Sequence, residues 1–367
     1  FVSLFRLSHL HLESLLRGAR GRGCFKSLSC AGADSMSEVG SNLALIQWVR
    51  ISVLLLCFAG AAWLDHKTRR VSNEWWFGWA KPAIFLLSME LIILNANWMI
   101  WMTASSAVAF ASTALIGRPD IRDIRAGSVL DIIVSVWYFV SGVGLVMGAI
   151  AYGPMLIDYY DISNPIPEQI ETALLWARMA VIILVLLVFE MAWRFRLLHG
   201  GADAKAMMLA ALLIPSWSHA NFPLIAAESD QIALPPAIGL FVWAGLAFLA
   251  LPLINLVRNF ISGDILPLSM SWHASKMPLN QIPKKHVWLL EEVIDKPDGT
   301  RGIVRKMRPV RGSRAETELE TVLDELECEG IMRAWVTAKH PFLVFVFPAI
   351  IPLIVLGDPI IFAFSLF

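Results

Sequence analysis

The chain has 367 residues, of which 57% are hydrophobic and only 16% carry a charge. Soluble domains are nearer a quarter charged, so this composition excludes an ordinary water-soluble protein and indicates a membrane protein. The 30 Lys and Arg residues balance the 30 Asp and Glu residues, and so the net charge does not predict a nucleic-acid partner. The four cysteines are scattered without a CxxC pair. Neither a metal site, a cofactor nor a disulfide framework is predicted.

Residues 1–41 precede the first long apolar stretch and lack the continuous hydrophobic centre of a secretory signal peptide. Five Lys and Arg residues lie within the first 35 positions, and Met36 begins a segment that looks like an ordinary translation start. We therefore interpret residues 1–41 as an N-terminal extension that is disordered or precedes the native start.

Eight apolar stretches have the length of a membrane span, and we expect each to be helical because lipid offers the backbone no hydrogen bonds. The joint at 95–97 is so short that the second and third spans must form a tight hairpin. The predicted fold class is an all-α polytopic membrane protein, with spans one to seven within 42–262 and the last within 339–367. In chain order the spans are 43–64, 76–94, 97–117, 128–151, 172–193, 205–226, 232–257 and 341–363.

The segments that connect these spans alternate in charge. Those after the first, third, fifth and seventh spans carry Lys and Arg, whereas 95–97, 152–171 and 227–231 carry none. Cytoplasmic loops of membrane proteins are enriched in Lys and Arg. We therefore predict a multi-pass protein of the plasma (cytoplasmic) membrane whose basic loops face the cytoplasm.

Residues 263–338, between the last two spans, form the one soluble insert that the sequence predicts. Its pattern indicates a small cytoplasmic α+β module that binds or positions a partner. The predicted elements are a strand at 287–294, a turn at 296–299, a return strand at 302–307, a helix at 316–328 and a strand at 333–337.

Four acidic residues in the predicted spans have structural interpretations of different strength. Glu190 can pair with Arg194 four residues later, and Asp131 complements the dipole at a helix start. Asp358 lies at a Gly-Pro break, and Glu90 has no obvious partner in the sequence. Acids inside membranes are costly and often functional, so each stays a lesser candidate.

Asp65 and Asp203 differ because both lie at the same predicted membrane face, at the end of span one and before span six. Two carboxylates that share a site cannot both ionise easily, so one keeps its proton while the other accepts one. Such a pair can hydrolyse a peptide bond by general acid/base catalysis. By spacing alone, two unrelated helix-end carboxylates remain an equally good interpretation.

Three motifs resemble a known family. The pattern Asp65, five residues, Val71-Ser72-Asn73 and the GxGD-type pattern 200–205 (Gly-Gly-Ala-Asp-Ala-Lys) resemble the two aspartate motifs of type IV prepilin peptidases. Segment 335–343 (Trp-Val-Thr-Ala-Lys-His-Pro-Phe-Leu) is similar to their archaeal branch, the preflagellin (archaellin) peptidases. The resemblance implies an aspartic endopeptidase that removes the short basic leader of a prepilin or prearchaellin at the cytoplasmic membrane face.

By this resemblance, Asp65 and Asp203 are the catalytic pair, and pilus or archaellum assembly components are candidate partners beside the substrate and the lipid bilayer. The residues expected to support the motifs are Gly200, Gly201, Ala202, Lys205 and Asn73.

The sequence departs from the family pattern at two places. Ala202 replaces the second glycine of the motif, and alanine disfavours the positive φ that glycine allows. The aspartates lie 138 positions apart with four spans between them, more than in compact archaeal relatives, so we interpret a hairpin near 118–171 as an insertion. The four-cysteine zinc region of bacterial relatives has no counterpart, and methyltransferase activity is not predicted.

Two other classes of function compete with a peptidase. A transporter or proton-coupled channel would use the intramembrane carboxylates, but the halves show no internal repeat and the distinctive acids lie at the membrane face. A non-catalytic scaffold of a pilus or secretion machine would rely on the soluble insert and tolerate replacement of either aspartate.

Overall fold

The computed structural model describes residues 29–125, 127–160, 170–198, 200–217, 224, 235–264, 268–295, 301–308 and 317–365. This part of the chain is mostly helical, with a small sheet before the last helices. It forms two compact units, one of Phe1–Ala244 with Leu343–Phe367 and one of Gly245–Phe342. The predicted fold class is therefore confirmed.

The helices of the first unit begin with α1, which extends upstream of the predicted first span. In chain order they are α1 (Ser29–Thr68), α2 (Asn73–Ile93), α3 (Trp98–Ile116), α4 (Ile121–Arg125), α5 (Val129–Tyr160), α6 (Ile170–Arg194), α7 (Gly201–Leu213), α8 (Pro236–Ile261, which continues into the second unit), α11 (Leu343–Leu356) and α12 (Pro359–Ser365). The second unit adds α9 (Leu268–Ser271), α10 (Leu319–Cys328) and five strands.

Six of the described helices, α1, α2, α3, α5, α6 and α8, are long and apolar enough to cross a membrane. The eight predicted spans are thus not all confirmed. In the predicted sixth span, α7 ends at Leu213, two residues before Pro215, which lacks a backbone N–H and so disfavours a further helical turn. In the predicted last span, Gly357 adopts a φ of 76° and separates α11 from α12.

Local signals in the sequence set the joint between α2 and α3. Asn95 adopts a left-handed φ of 47°, a conformation that asparagine tolerates better than most residues. The Asn97 side chain then accepts hydrogen bonds from the N–H groups of Met99 and Ile100, which caps α3. The predicted tight hairpin is present, and α2 and α3 run antiparallel.

Helix α7 lies at the centre of the first unit. It packs against α1, α2, α3 and α6, and every residue from Ala206 to Leu213 is buried. A 13-residue helix surrounded in this way is positioned by packing on all sides rather than on one face. Its first turn, which carries Asp203, is half-buried.

The second unit contains a three-stranded antiparallel sheet of order β1-β5-β2 and a β3-β4 hairpin. The predicted strand 287–294 is divided at Leu290, and the predicted turn 296–299 lies outside the described residues. Strand β1 was not predicted. It ends in Pro278, and proline is tolerated at this position because β1 is an edge strand of the sheet. The strands are β1 (Ala274–Pro278), β2 (Val287–Leu289), β3 (Glu291–Asp295), β4 (Arg301–Arg305) and β5 (Arg333–Ala338).

Candidate active site

Asp65 lies in the last turn of α1. Helix α1 ends at Thr68, and the N–H of Arg69 donates to the Asp65 carbonyl oxygen at 3.1 Å. The Asp65 carboxylate accepts a hydrogen bond from the backbone N–H of Leu343, the first residue of α11. The first N–H groups of a helix have no partner within it, so the first N–H of α11 is free to orient this carboxylate.

Asp203 is the third residue of α7, and Gly200 is its N-cap. The Gly200 N–H donates to the Asp203 carboxylate, while the Asp203 N–H donates to the Gly200 carbonyl oxygen at 3.1 Å. This is the half of a capping box in which an acidic side chain reaches back to the N-cap backbone. The carboxylate is thereby held against the backbone of Gly200.

That arrangement requires glycine at position 200. A Cβ added there would lie 2.5 Å from Asp203 Oδ2 and 3.0 Å from its Cγ, closer than real Cβ contacts allow. A Cβ at Gly201 would meet only Trp193 at 3.6 Å, an ordinary contact. Ala202 lies inside α7 and is not among the residues with positive φ, so alanine there introduces no backbone strain.

A hydrogen bond joins the two aspartate motifs directly. Lys205 Nζ donates to Asn73 Oδ1 at 2.6 Å, across 132 positions of sequence. Asn73 is the first residue of α2, and the Ser72 side chain caps that helix by accepting from the Trp75 N–H. The two supporting residues therefore bring the starts of α2 and α7 to one point.

Helix α1 packs on α7, and the charge of Asp65 acts on Asp203. Both aspartate side chains are half-buried. Asp203 lies outside the six helices that could span a membrane. Burial, and secondly the negative charge of Asp65, raise the pKa of Asp203 to about 7, although the Gly200 hydrogen bond opposes them. A carboxyl group with this pKa can hold a proton at neutral pH.

Two features of the site were not predicted. Arg69 has a left-handed φ of 57°, which is uncommon for a non-glycine residue and typical of strained functional sites. Its charge acts on Asp65, and its Nε and Nη1 atoms are buried without a hydrogen-bond partner among the described residues. The contact from Leu343 was missed as well, although that residue ends the third motif. The sequence could have indicated a role for Arg69 only through its place four residues after Asp65, one helical turn along the chain.

The other four acidic candidates have structural partners. Arg50 Nη2 pairs with Glu90 at 2.6 Å in the buried interior and joins α1 to α2. Arg194 pairs with Glu190 at 2.7 Å, as the spacing predicted. The Ser128 hydroxyl donates to Asp131, and the Asp358 carboxylate accepts from the Ile360 N–H. Among the described residues, no three His, Cys, Asp or Glu side chains are grouped as metal ligands would be.

Residues 267–359 match the family described as Archaeal Peptidase A24 C-terminus Type II. This match confirms the predicted family of prepilin and preflagellin peptidases. The match covers about a quarter of the chain and, at the level of the family, supports a peptidase that acts in a membrane on substrates of the prepilin and preflagellin type. The matched segment includes motif 335–343 and the N–H of Leu343 that contacts Asp65, but not Asp65 or Asp203 themselves. No curated protein matches the chain.

Proposed function

We propose that this chain is an aspartic endopeptidase that removes the short basic leader of prepilin- or prearchaellin-type proteins at the cytoplasmic membrane face. The observation that carries the proposal is the packing of α1 on α7, which brings Asp65 and Asp203, 138 positions apart in the sequence, within range of an electrostatic interaction. Both side chains are half-buried and so remain within reach of water. The Lys205–Asn73 hydrogen bond, two residues after Asp203, joins the start of α7 to the start of α2 and supports the same site.

The two carboxyl groups divide the chemistry by their environments. Asp203, whose pKa of about 7 leaves about half of it protonated at neutral pH, donates a hydrogen bond from its acid form to the scissile carbonyl oxygen. Ionised Asp65 accepts a proton from water, whose oxygen attacks the carbonyl carbon to give a tetrahedral intermediate. As the C–N bond breaks, the proton on Asp65 passes to the departing amine. No covalent bond to the protein forms in this mechanism.

The cytoplasmic location of the site rests on the charge of the chain beside Asp65. Lys67, Arg69 and Arg70 follow it directly, and basic residues next to a span favour the cytoplasmic side. The soluble insert at 263–338 is assigned the same side by its connections to the flanking spans. Components of a pilus or archaellum assembly are its proposed partners.

A transporter or channel function has less support than the sequence suggested. Glu90 and Glu190 form ion pairs with arginines, and Asp131 and Asp358 take part in helix-start hydrogen bonds. Each of these acids therefore has a structural role that accounts for its presence. A scaffold function does not require the Asp65–Asp203 contact at all.

The proposal is tested with the purified chain reconstituted in lipid vesicles together with prepilin- and prearchaellin-type substrates. Mass spectrometry should find a single cut between the basic leader and the apolar helix. The rate should be unchanged by EDTA and by reagents that block serine or cysteine nucleophiles. Intact substrate under all conditions would refute a peptidase, and loss of cleavage in EDTA would refute the aspartic mechanism.

The pH dependence follows from the protonation of Asp203. Because burial and the Asp65 charge raise its pKa to about 7, the acid form is present below that pH and disappears above it. We expect kcat/KM to fall about tenfold for each pH unit above 7. The measurement is cleavage rate against pH from 6 to 9 at low substrate concentration. A flat profile through pH 8 would contradict the assignment of Asp203 as the acid.

A further inference from the structure

An apolar groove in the first unit begins beside the candidate active site. Its walls are formed by α2, α3 and α7, which contribute residues from within 76–84, 108–116 and 205–212, and Trp137 of α5 adds an edge. Three of its polar lining groups are engaged: Lys205 bonds to Asn73, the Ser112 hydroxyl bonds to Ala109 and Tyr138, and Trp137 Nε1 donates to Ser105. Trp76 Nε1 is buried without a hydrogen-bond partner among the described residues. The groove is therefore apolar along its length, with Lys205 at one end.

The groove continues into a second hollow between α2 and α3. The two hollows share Ile84, Val108 and Trp137, and the second extends to Leu91 and Trp101. At 1.5 Å per helical residue, the distance along α2 from the level of Trp76 to that of Leu91 is about 22 Å. This length accommodates about 15 residues of a helix lying alongside α2.

The position of Lys205 relates the groove to the reaction. Lys205 lies two residues after Asp203, and its side chain meets the first residue of α2. The groove therefore starts at the level of the aspartates and follows α2 away from them. A substrate cut at the aspartates and continuing as an apolar helix would place that helix in line with the groove.

The lining also suits a helix in size. Ala80 of α2 and Ala111 and Ala114 of α3 lie in the groove, and small residues allow close approach of helices where no hydrophobic effect drives them together. Three aromatic side chains border this small-residue floor, Trp76, Phe77 and Trp137. Together these alanine and aromatic side chains make an apolar groove that a helix can approach closely.

We propose that this groove between α2, α3 and α7 binds about 15 residues at the start of the substrate's apolar helix. Binding there sets which peptide bond of the substrate meets the aspartates. The inference rests on the proposed function, because the occupant is the substrate of the peptidase. The helix lies parallel to α2, with its N-terminal end at Lys205. A lipid acyl chain is the competing occupant of the same apolar surface.

Filling the groove tests this inference in the reconstituted protein. Ala111→Trp should lower kcat/KM at least about tenfold, because it prevents burial of one or more large apolar side chains of the substrate. Ala149→Trp is the matched control, since Ala149 is exposed on α5 and does not line either hollow. This control should cleave at the wild-type rate. Equal rates for both variants and the wild type would overturn the proposal.

Cysteine cross-linking decides the matter even if Ala111→Trp fails to fold. Ala80→Cys should link to single cysteines in the substrate at every third or fourth position after the cut, as one face of a helix requires. Ser88→Cys, eight residues further along the same helix and groove, should move these links by about eight substrate positions. The chain without an added cysteine supplies the background.

The outcomes separate this inference from the function on which it depends. If the wild-type chain cuts no substrate, the proposed function falls, and the groove loses its occupant with it. If the wild-type chain cuts normally but Ala80→Cys and Ser88→Cys give only background links, the groove proposal alone is wrong. Links without positional spacing, together with an unaffected Ala111→Trp variant, would assign the groove to lipid.

Discussion

Replacing either aspartate by asparagine is expected to lower kcat for leader removal at least about 1,000-fold, since positioned acid/base groups contribute up to about 10,000-fold. Asn at position 203 can donate only through its weakly acidic amide N–H, not through the acidic O–H that Asp203 directs at the scissile carbonyl oxygen. Asn at position 65 cannot accept a proton from water. The two variants keep the size of the side chain, so their loss reports chemistry rather than packing.

The double variant Asp65→Asn with Asp203→Asn should cleave no more slowly than the single variants, because groups that act as one unit are not additive. The measurement is single-turnover cleavage in lipid vesicles, with each variant checked for its amount in the membrane. Asp131→Asn serves as the control, since that carboxyl group only bonds to Ser128 at a helix start. Wild-type rates in either single variant would remove that residue from the catalytic pair.

Gly200→Val is expected to lower kcat/KM at least about 100-fold, because catalytic geometry that moves by about 1 Å can cost that much. A Cβ at this position would lie 2.5 Å from Asp203 Oδ2, so either the carboxylate or the start of α7 must move. Gly200 acts by positioning Asp203 and takes no part in proton transfer. Displacing the carboxyl group from its buried place should also lower the pH above which activity falls.

Gly201→Ala is the matched control for this prediction, because its Cβ meets only Trp193 at 3.6 Å. It should retain wild-type kcat/KM and the same pH profile. The two variants differ by one position in the same turn, so general damage to the start of α7 would reduce both. Full activity in Gly200→Val would contradict the close packing of Asp203 against the glycine backbone.

The membrane spans show where the length of an apolar stretch is enough to predict a spanning helix from the sequence. Six helices reach the length needed to cross a membrane because their sequences are apolar over a long continuous stretch. Three of them, α2, α5 and α8, continue through an internal proline. The predicted spans at 205–226 and 341–363 contain Pro215 and the Gly357-Asp358-Pro359 break, and hydropathy over a window averages across such residues. At these two places α7 ends at Leu213, shortly before Pro215, and α11 ends before Gly357, whose φ is positive, although the average hydropathy remains high.

The site shows a similar division. Asp65 and Asp203 could be selected from the sequence because loop charge places both at one face and the motifs resemble a family. The sequence was misleading at Ala202, which looked like a defect in the GxGD-type motif. Its φ is helical because it lies inside α7, and the glycine that matters sterically is Gly200.

Composition and pattern by themselves determined the membrane class, most of the helices, the α+β insert and the two candidate aspartates, because these depend on properties of contiguous residues. Only the tertiary structure decided the Leu343 contact to Asp65, the Lys205–Asn73 hydrogen bond, the buried pairing of Glu90 with Arg50 and the groove beside α7. These features join side chains and backbone groups from helices far apart in the chain. Such contacts are set by how α1, α2, α7 and α11 pack, which no local pattern specifies.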